Sequence, residues 1–373
     1  MKFAFCLFKY FSYGGLQKNF LKIAKLCIAR GHQVDAFVFE WKGDVPKGLN
    51  VFCLSNRYFS NHSRLEGFIK DFNRYLVKNQ YDFVVGFNKM PGLDLYYAAD
   101  TCFAAKAYNR SFFYRLTRRC RKYMQFEEDV FGEKSKTKIL LIARREEKIF
   151  AKYYGTCRQR FYLLPPGISK NFVCIDNAYD IRNKLRYEFG LNGSDKKIIL
   201  MVGSGFKTKG VDRAIYAVSS LPSALLEKTV MLIAGIGNVK PFKRLAKRLG
   251  IADKLHFLGG RNDILRFFVG ADILLHPARM ENTGNVLIEA MASGLPVLAT
   301  DICGYACHIR RAKAGKLIPS PSIQKKLNQM LAHMLLSDEC MKWKKNGINY
   351  IAQNDVFSRS EKAADIIERM ALC

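Results

Sequence analysis

Two glutamates spaced eight residues apart, Glu281 and Glu289, are the side chains of this sequence best placed for binding chemistry. Asn-Thr-Gly follows Glu281 and predicts the start of a helix, with Glu289 two turns into that helix and on the same face. The N–H groups at a helix start bind phosphate, and carboxylates accept hydrogen bonds from sugar hydroxyls. The pattern therefore predicts a site for a sugar nucleotide.

Glycines and lysines follow two predicted strands, at positions where parallel α/β sheets bind ligands. Gly14 and Gly15 open the first helix, where a glycine backbone can approach an anion closely. Lys207 and Lys209 follow the first strand of the second half, and an ammonium there can neutralise a diphosphate. Taken alone, a tight turn and solvated lysines explain these residues at least as well.

A polar segment follows the predicted strand Asp82–Phe87. Asn88, Lys89, Asp94 and Asp100 lie in it and are candidates for binding a second substrate. A role as turn formers remains open for some of them.

Residues 104–126 carry many basic residues and no acidic one. At about 100° per residue, six apolar or weakly polar side chains share one side of a single predicted helix. They are Phe112, Phe113, Leu116, Cys120, Tyr123 and Met124. The basic residues opposite are Lys106, Arg110, Arg115, Arg118, Arg119, Arg121 and Lys122. Such a cationic amphipathic helix is typical of a membrane-surface element, although packing on its own domain with a solvated basic face is the alternative.

The overall composition limits the classes of protein to consider. A chain of 373 residues with 49% hydrophobic residues predicts two packed domains, and no apolar run reaches the roughly 18 residues of a membrane-spanning helix. A net charge of +29 indicates an anionic partner, either nucleic acid, an acidic membrane or a phosphorylated glycan. The 11 scattered cysteines fit a reducing compartment, and Cys303 with Cys307-His308 is best explained without a metal.

Strand and helix patterns alternate twice along the chain, which predicts two doubly wound α/β domains. The predicted boundaries give an N-terminal domain of residues 1–167, a C-terminal domain of 168–355, and a last helix in 356–373 that packs back on the first domain. Six strands are predicted in the second half: Ile198–Val202, Val230–Ala234, Lys254–Leu258, Asp272–Leu275, Pro296–Thr300 and Lys316–Ile318.

Glu281-x7-Glu289, followed by Ala-x-Ala-x-Gly294-x-Pro296-Val, resembles the glutamate motif of family 4 retaining glycosyltransferases. That family has the GT-B fold, in which two Rossmann-like domains face each other across a cleft. Two further strings resemble more narrowly the glucosyltransferases of the lipopolysaccharide core. They are Phe5-Cys-Leu-Phe-Lys-Tyr-Phe-Ser-Tyr-Gly14-Gly15-Leu-Gln and Gly86-Phe-Asn-Lys-Met-Pro-Gly-Leu-Asp.

The resemblance implies a function. A family member of this kind transfers glucose from UDP-glucose to an inner-core heptose of lipopolysaccharide and forms an α-linked bond. It also implies a cytoplasmic enzyme held on the inner face of the anionic inner membrane, with no nucleic-acid partner. The sequence has no Asp-x-Asp motif, so no metal or other cofactor is expected.

The resemblance also assigns roles to matching positions. Glu281 would bind the donor sugar, Glu289 the ribose, and Asp100 would lie near the acceptor. The diphosphate would be held by Gly15, Lys209 and the Thr283-Gly284 backbone, and the segment around Arg261 would contact the uracil. Glu281, Asp100 and Lys209 are the candidate catalytic residues. Thr208 stands where the family often has arginine, and Lys207 is the residue available to replace that cation.

Three alternatives remain at this stage. The nearest is a transferase of the same family with another nucleotide sugar or another cell-envelope glycan as acceptor. The others are a nucleic-acid-binding protein, suggested by the charge, and a non-catalytic protein that binds UDP-sugars.

Overall fold

The computed structural model of the chain divides into two compact units. The first unit comprises Met1–Pro165 and Ser358–Cys373, and the second comprises Pro166–Phe357. The structure describes residues 1–12, 14–54, 61–173, 175–191, 195–321 and 324–372, without the side chains of 61–63. The boundaries predicted after residues 167 and 355 differ from these divisions by two residues each.

The first unit contains a seven-stranded parallel sheet and a separate two-stranded parallel ladder. Its strands are β1 (Lys2–Cys6), β2 (Lys9–Phe11), β3 (Gln33–Val38), β4 (Glu40–Lys42), β5 (Leu49–Cys53), β6 (Phe83–Gly86), β7 (Leu95–Ala98), β8 (Lys138–Leu141) and β9 (Phe161–Leu163). The main sheet runs in the order β5-β3-β1-β6-β7-β8-β9, and β2 pairs with β4.

Helices cover both faces of this sheet, because its central strands are apolar on both sides and each face packs in its own core cluster. They are α1 (Gly15–Ala29), α2 (Asn61–Lys78), α3 (Phe103–Tyr108), α4 (Phe112–Leu116), α5 (Arg118–Phe131) and α6 (Arg144–Tyr154). Aromatic side chains fill much of the core: Phe5, Phe20 and Phe87 are fully buried and in mutual ring contact.

The second unit has a six-stranded parallel sheet in the order β12-β11-β10-β13-β14-β15. The strands are β10 (Lys197–Val202), β11 (Thr229–Ala234), β12 (Leu255–Gly259), β13 (Ile273–His276), β14 (Val297–Thr300) and β15 (Gly315–Ile318). The helices are α7 (Ala178–Glu188), α8 (Phe206–Lys209), α9 (Val211–Ser219), α10 (Ser223–Glu227), α11 (Lys240–Arg248), α12 (Ile264–Gly270), α13 (Asn285–Ala292), α14 (Ala306–Ala312), α15 (Gln324–Leu336) and α16 (Cys340–Gln353).

The last helix, α17 (Arg359–Ala371), belongs to the first unit although it follows the second in sequence. Ala363, Ala364 and Ile367 are fully buried in the core around α1. At the edge of this contact, Arg30 binds two carboxylates of α17, with a distance of 2.8 Å from Nη1 to Glu368 Oε2. The apolar face therefore holds the chain end in place, and the exposed ion pairs add little.

Both sheets reverse their strand order once, between β1 and β6 in the first unit and between β10 and β13 in the second. The loops that leave the carboxyl ends of those strands diverge in opposite directions and leave a crevice at the sheet edge. Parallel α/β sheets bind ligands in such crevices, so these two are the candidate ligand sites of the structure. Within the described residues, no helix is both long enough and apolar enough to cross a membrane.

Candidate functional site

The crevice of the second unit lies between the loops that follow β10 and β13. The loop after β10 begins at Gly203 and leads into α8, which carries Lys207 and Lys209. The loop after β13 carries Glu281 and ends at Gly284, the residue that precedes α13. The fold therefore brings Lys209 and Glu281, which are 72 positions apart in the sequence, to one edge of the sheet.

Glu281 is held by two side chains at this edge. Lys209 Nζ donates to Glu281 Oε2 and forms an ion pair with it, and His276 Nε2 lies 3.2 Å from the same oxygen. Burial raises the pKa of the carboxyl group, but the hydrogen bond from His276 and the charge of Lys209 outweigh it and lower the pKa to about 2. Glu281 is therefore a fixed, ionised hydrogen-bond acceptor at neutral pH.

His276 is fully buried at the carboxyl end of β13, and its Nδ1 has no hydrogen-bond partner among the described residues. To donate to a carboxylate, its Nε2 must carry the proton. Sequence reasoning missed this residue, because a histidine at the end of an apolar strand is indistinguishable from an ordinary core residue. The Leu-His-Pro string immediately before the loop was the only available signal.

A glycine between α8 and α9 makes the contact between the two loops possible. Gly210 has a φ of +77°, and a Cβ there would lie 2.1 Å from the carbonyl oxygen of Pro277. Arg279 joins the two loops as well. Its guanidinium forms two 2.6 Å hydrogen bonds to Asp212, and its backbone N–H donates to the Thr208 carbonyl. The site is thus fixed by backbone as well as side-chain contacts.

The predicted helix after Glu281 is present as α13, with Gly284 in the left-handed region immediately before it. Glu289 is the fifth residue of α13, just over one turn into the helix, so the prediction of two turns is wrong. Glu289 is partly buried, whereas the residues on either side of it are buried. The Thr283 carbonyl accepts a 2.8 Å hydrogen bond from the N–H of Tyr305.

Two other predicted donor residues lie beyond strand ends at the carboxyl edge of the same sheet. Lys207 is exposed on α8. Arg261 follows β12 and is also exposed, and its Nε donates to Asp263 Oδ1 over 2.7 Å while the guanidinium lies 5.4 Å from the Phe267 ring. Arg261 therefore lies beyond the edge strand of the sheet and is already bound to a carboxylate.

The residues predicted for the crevice of the first unit differ in what they contact and in how exposed they are. Asn88 Oδ1 accepts the Phe8 N–H over 2.8 Å and so joins the loops after β1 and β6. Lys89 is bound to the fully buried carboxylate of Glu127, while Asp100 is exposed. Gly14 precedes α1, and Gly15 is the first residue of that helix. Asn88, Lys89 and Asp100 line one cavity, which is described below.

Asp94 differs from the other predicted acceptor-side residues. It lies at the amino end of β7, where its Oδ2 accepts the Val84 N–H over 2.8 Å, and it does not line the cavity. The segment containing it was expected to be a loop, but Leu95–Ala98 is a buried strand. Because parallel strands place opposite ends at opposite edges, an acidic residue before β7 cannot join those that follow β6.

The basic segment 104–126 was predicted to be a single helix, but it consists of parts of α3, α4 and α5. Ser111 and Thr117 both have extended backbone conformations, and the Thr117 hydroxyl accepts the Cys120 N–H over 3.2 Å to start α5. Serine and threonine at these positions compete for backbone hydrogen bonds and favour helix starts. The apolar side chains consequently do not share one face.

Exposure separates these side chains clearly. Phe112, Phe113 and Leu116 on α4 are 61%, 80% and 53% exposed, whereas Cys120 on α5 is fully buried. The basic residues also divide: Arg110, Arg118 and Arg121 are exposed, and Arg115 lies over the Tyr108 and Phe112 rings. Lys122 forms a 2.9 Å ion pair with Glu66 of α2. Lys106 and Arg119 line the first-unit cavity.

The cysteine and histidine cluster after β14 has a structural explanation. Burial raises the pKa of Cys303 to about 12 and lowers that of His308 to about 4, so both are neutral near pH 7. His308 Nδ1 lies 2.8 Å from the Tyr350 hydroxyl. Across the described part of the chain, no three acidic, histidine or cysteine side chains group in a way that could hold a metal ion.

The fold and this geometry define a nucleotide-binding α/β protein, with a cation, an ionised carboxylate and a helix start at one switch point. The family described as "Glycosyl transferases group 1" matches residues 184–350, which contain that site. Lipopolysaccharide glucosyltransferase WaaG of Escherichia coli (strain K12) is 41% identical over 366 residues, which cover 98% of each chain.

Solved structures agree with these sequence comparisons. The crystal structure of WaaG, a glycosyltransferase involved in lipopolysaccharide biosynthesis, superposes with a TM-score of 0.90 at 41% identity and covers 98% of this chain and 99% of that one. HepE of Anabaena in complex with UDP and glucose has a TM-score of 0.76 at 18% identity, covers 99% of this chain and 100% of that one, and shares the fold. The chain belongs to the group 1 glycosyl transferases of family 4, which have the GT-B fold, and it is a glycosyltransferase.

Proposed function

We propose that this enzyme transfers glucose from UDP-glucose to an inner-core heptose of lipopolysaccharide and forms an α-linked bond. The observation that carries the proposal is the near full-length relationship to a lipopolysaccharide glucosyltransferase, at 41% identity over 98% of both chains. The contact of Lys209 with Glu281 beside the start of α13 supports the donor half of the proposal, since it offers a cation and backbone donors to a diphosphate and a carboxylate to a sugar.

In the proposed reaction, the bond between C1 of glucose and the β-phosphate oxygen breaks while C1 bonds to the acceptor oxygen. The acceptor hydroxyl gives its proton to the departing phosphate on the same face of the sugar, so the configuration is retained. Lys209 and the backbone at Thr283 and Gly284 stabilise the charge that develops on the phosphate. Glu281 orients the sugar and is not a nucleophile.

We propose that the reaction needs no divalent metal. A metal would serve to neutralise the leaving diphosphate, and Lys209 with the start of α13 supplies positive potential at the same position. Lys207, on the exposed side of α8, is the second cation of the site. Transfer rates are expected to be equal with EDTA and with added magnesium.

A comparison of two ligands tests the donor assignment. UDP carries the ribose and the phosphates, and UDP-glucose carries the glucose in addition. Calorimetric affinities for both ligands therefore distinguish binding of the sugar by Glu281 from binding of the ribose by Glu289. Glu281→Gln is expected to weaken UDP-glucose by about 10-fold or more and leave UDP unchanged. Glu289→Gln is the matched control and should weaken both ligands equally. Equal effects of Glu281→Gln on both ligands would overturn the assignment of the sugar to Glu281.

We propose further that the enzyme works in the cytoplasm, bound peripherally to the anionic inner face of the inner membrane. Phe112, Phe113 and Leu116 are exposed on α4 with arginines beside them, a combination suited to insertion between acidic headgroups. A phospholipid surface accounts for these aromatics better than a nucleic acid does, because they are exposed on a helix of five residues, whereas single-stranded nucleic acids stack on aromatics within a basic groove.

Flotation with vesicles of phosphatidylglycerol and phosphatidylcholine tests the membrane proposal. Phe113→Ser should reduce binding several-fold while rates with a soluble acceptor remain unchanged. Val77→Ser is the control, since Val77 is as exposed as Phe113 but lies on α2. Binding that is insensitive to Phe113→Ser, or equal to neutral and acidic vesicles, would contradict the proposal.

A further inference from the structure

The first unit has a cavity of its own at the switch point between β1 and β6, and we call it the first-unit cavity. Its volume is about 590 Å³, and residues of the loops after both strands line it, among them Phe8 and Asn88. Binding sites for small ligands commonly have volumes of about 300–1,000 Å³ and lie at such switch points. The position and size of this cavity therefore mark it as a ligand site.

Positive charge dominates its lining. Lys9, Lys89, Lys106 and Arg119 line the cavity, and Asp100 is the one carboxylate among the residues identified in its wall. Two of these cations already have partners, since Lys9 Nζ lies 3.7 Å from Glu40 and Lys89 is paired with Glu127. Within the described residues, no carboxylate forms an ion pair with Lys106 or Arg119. These two cations are available to an incoming anion.

The buried carboxylate beneath the cavity does not offset them. Glu127 accepts the N–H groups of Phe103 and Ala104 at 2.8 Å and the Tyr154 hydroxyl at 2.7 Å, in addition to Lys89. Burial raises the pKa of Glu127, but Lys89 and these hydrogen bonds lower it below its usual value. Glu127 is thus ionised and fully engaged, and its charge fixes Lys89 in the cavity wall.

Four aromatic side chains also line the cavity. Phe103 and Tyr123 line the cavity with their ring centroids 5.5 Å apart, and Phe8 and Phe39 form a second pair at 5.2 Å. Apolar rings with a few convergent polar groups suit a ligand that has one flat apolar face and several hydroxyls. A sugar ring has this character, and a free inorganic anion does not.

We propose that the first-unit cavity binds the acceptor glycan through an anionic substituent, a phosphate or a carboxylate, held by Lys106 and Arg119. Asp100 accepts a hydrogen bond from a hydroxyl of the same glycan. The proposal rests on the proposed function, because it describes the acceptor of that same transfer. The proposal predicts that the enzyme distinguishes acceptors by their charge. When the anionic group is removed from the glycan, both Arg119 and Lys106 lose their contact with it.

A soluble acceptor tests this without any contribution from a membrane. The probes are a de-acylated inner-core oligosaccharide, the same glycan after removal of its phosphates, and the same glycan after reduction of its carboxylates to alcohols. The K106Q/R119Q double variant is compared with K106R/R119K, which keeps both charges. The control is R118Q/R121Q, which removes two exposed charges of α5 outside the cavity wall.

For the intact glycan, K106Q/R119Q is expected to raise KM by about 10-fold or more with kcat changed little, while K106R/R119K and R118Q/R121Q stay within about threefold of wild type. Removing the recognised group from the glycan should raise the wild-type KM to the same level and abolish the difference between wild type and K106Q/R119Q. The form of glycan that does so identifies the group as phosphate or carboxylate. Equal KM values for all three glycans, or equal losses in R118Q/R121Q, would overturn the proposal.

Failure of the proposed function gives a different result. If the wild type transfers glucose to none of the three glycans, that function is wrong, and calorimetric titration of the same glycans still decides the present inference. Binding of the charged glycan that K106Q/R119Q abolishes would support it. Absence of binding, or binding that the double variant leaves unchanged, would refute it.

Discussion

Glu281 owes its ionised state to its neighbours and not to solvent. Burial favours its neutral form, while His276 and Lys209 favour the carboxylate and lower its pKa to about 2. The proposed contribution of the carboxylate to donor binding is therefore present at all pH values above that pKa, and it is lost only as the pH falls towards 2. Cys303 is a further titratable group near Glu281, and burial raises the pKa of its thiol to about 12, so that it stays protonated.

His276 is expected to act as a positioning residue for Glu281. Because His276→Phe removes a hydrogen bond that lowers the pKa of Glu281, the pKa should rise towards its ordinary value. Protonation of Glu281 should therefore not lower kcat/KM of the wild type between pH 8 and pH 4, whereas kcat/KM of His276→Phe should fall as the pH approaches 4. His276→Gln, which keeps a donor, should restore a profile close to that of the wild type. A profile of His276→Phe that stays as flat as that of the wild type down to pH 4 would show that His276 only fills space.

Individual residues of the site differ in how far the sequence could predict them. Glu281 and Lys209 could be foreseen because both follow strands of one parallel sheet, and such strand ends share an edge. His276 and Glu127 could not, since their roles depend on contacts across the fold that spacing does not encode. Asp94 was grouped with the residues that follow β6, because β7, the strand after it, has four residues and is too short to show an alternating hydrophobic pattern.

Short elements, more than long helices, hold the functional groups. The four-residue helix α8 lies against the loop after β13 only because Gly210 has no side chain. Gly210→Ala should force the two apart and raise the KM for UDP-glucose by about 10-fold, in addition to a loss of about 1–2 kcal/mol from the left-handed backbone.

Gly250→Ala is the matched control for that substitution. Gly250 has a similar φ of +70°, but a Cβ there meets no atom within 4 Å. Urea unfolding and steady-state kinetics of both variants separate backbone strain from displacement of the site. A KM unchanged in Gly210→Ala would contradict the role assigned to the contact between Gly210 and Pro277.

All six strands predicted in the second half are present in the structure with ends shifted by about one residue, because most of them are buried apolar runs. In the first half, four strands were not predicted. The strands β2 and β4 have only three residues each, β5 has only partial apolar character, and β7 lies among polar candidates. The prediction for the basic segment 104–126 was wrong for a different reason. Its apolar spacing fits one helix, but Ser111 and Thr117 start new ones.

The molecule as a whole combines two separately packed units whose chain order is interleaved. The last helix, α17, lies on α1 and β6 of the first unit, although the second unit intervenes in sequence. A defect in its apolar face should therefore affect the first unit and leave the second intact.

Ile367→Ala tests this organisation. Ile367 is fully buried, and its truncation should cost about 2–4 kcal/mol. Hydrogen exchange should accelerate in β1, β3 and β6, while the strands of the second unit keep their protection. Ile366→Ala is the control, since Ile366 is only partly buried and should cost less. Equal loss of protection in both units would contradict the independence of their cores.

The charge of +29 is distributed over several functions in this account. We propose that Lys209 and Lys207 bind the donor phosphates, that Lys106 and Arg119 bind the acceptor anion, and that the arginines around α4 bind the membrane. Each group can be removed by substitution without touching the others, so their contributions are separable by donor affinity, acceptor KM and vesicle binding.

Transfer of ¹³C-labelled glucose from UDP-glucose to the de-acylated inner-core oligosaccharide is the decisive test of the proposed reaction. We expect one glucose per acceptor in an α linkage to heptose, seen by NMR of the product, at rates that EDTA does not reduce and Glu281→Gln lowers by about 100-fold. A β-linked product, or transfer from another nucleotide sugar in preference to UDP-glucose, would refute the proposed reaction.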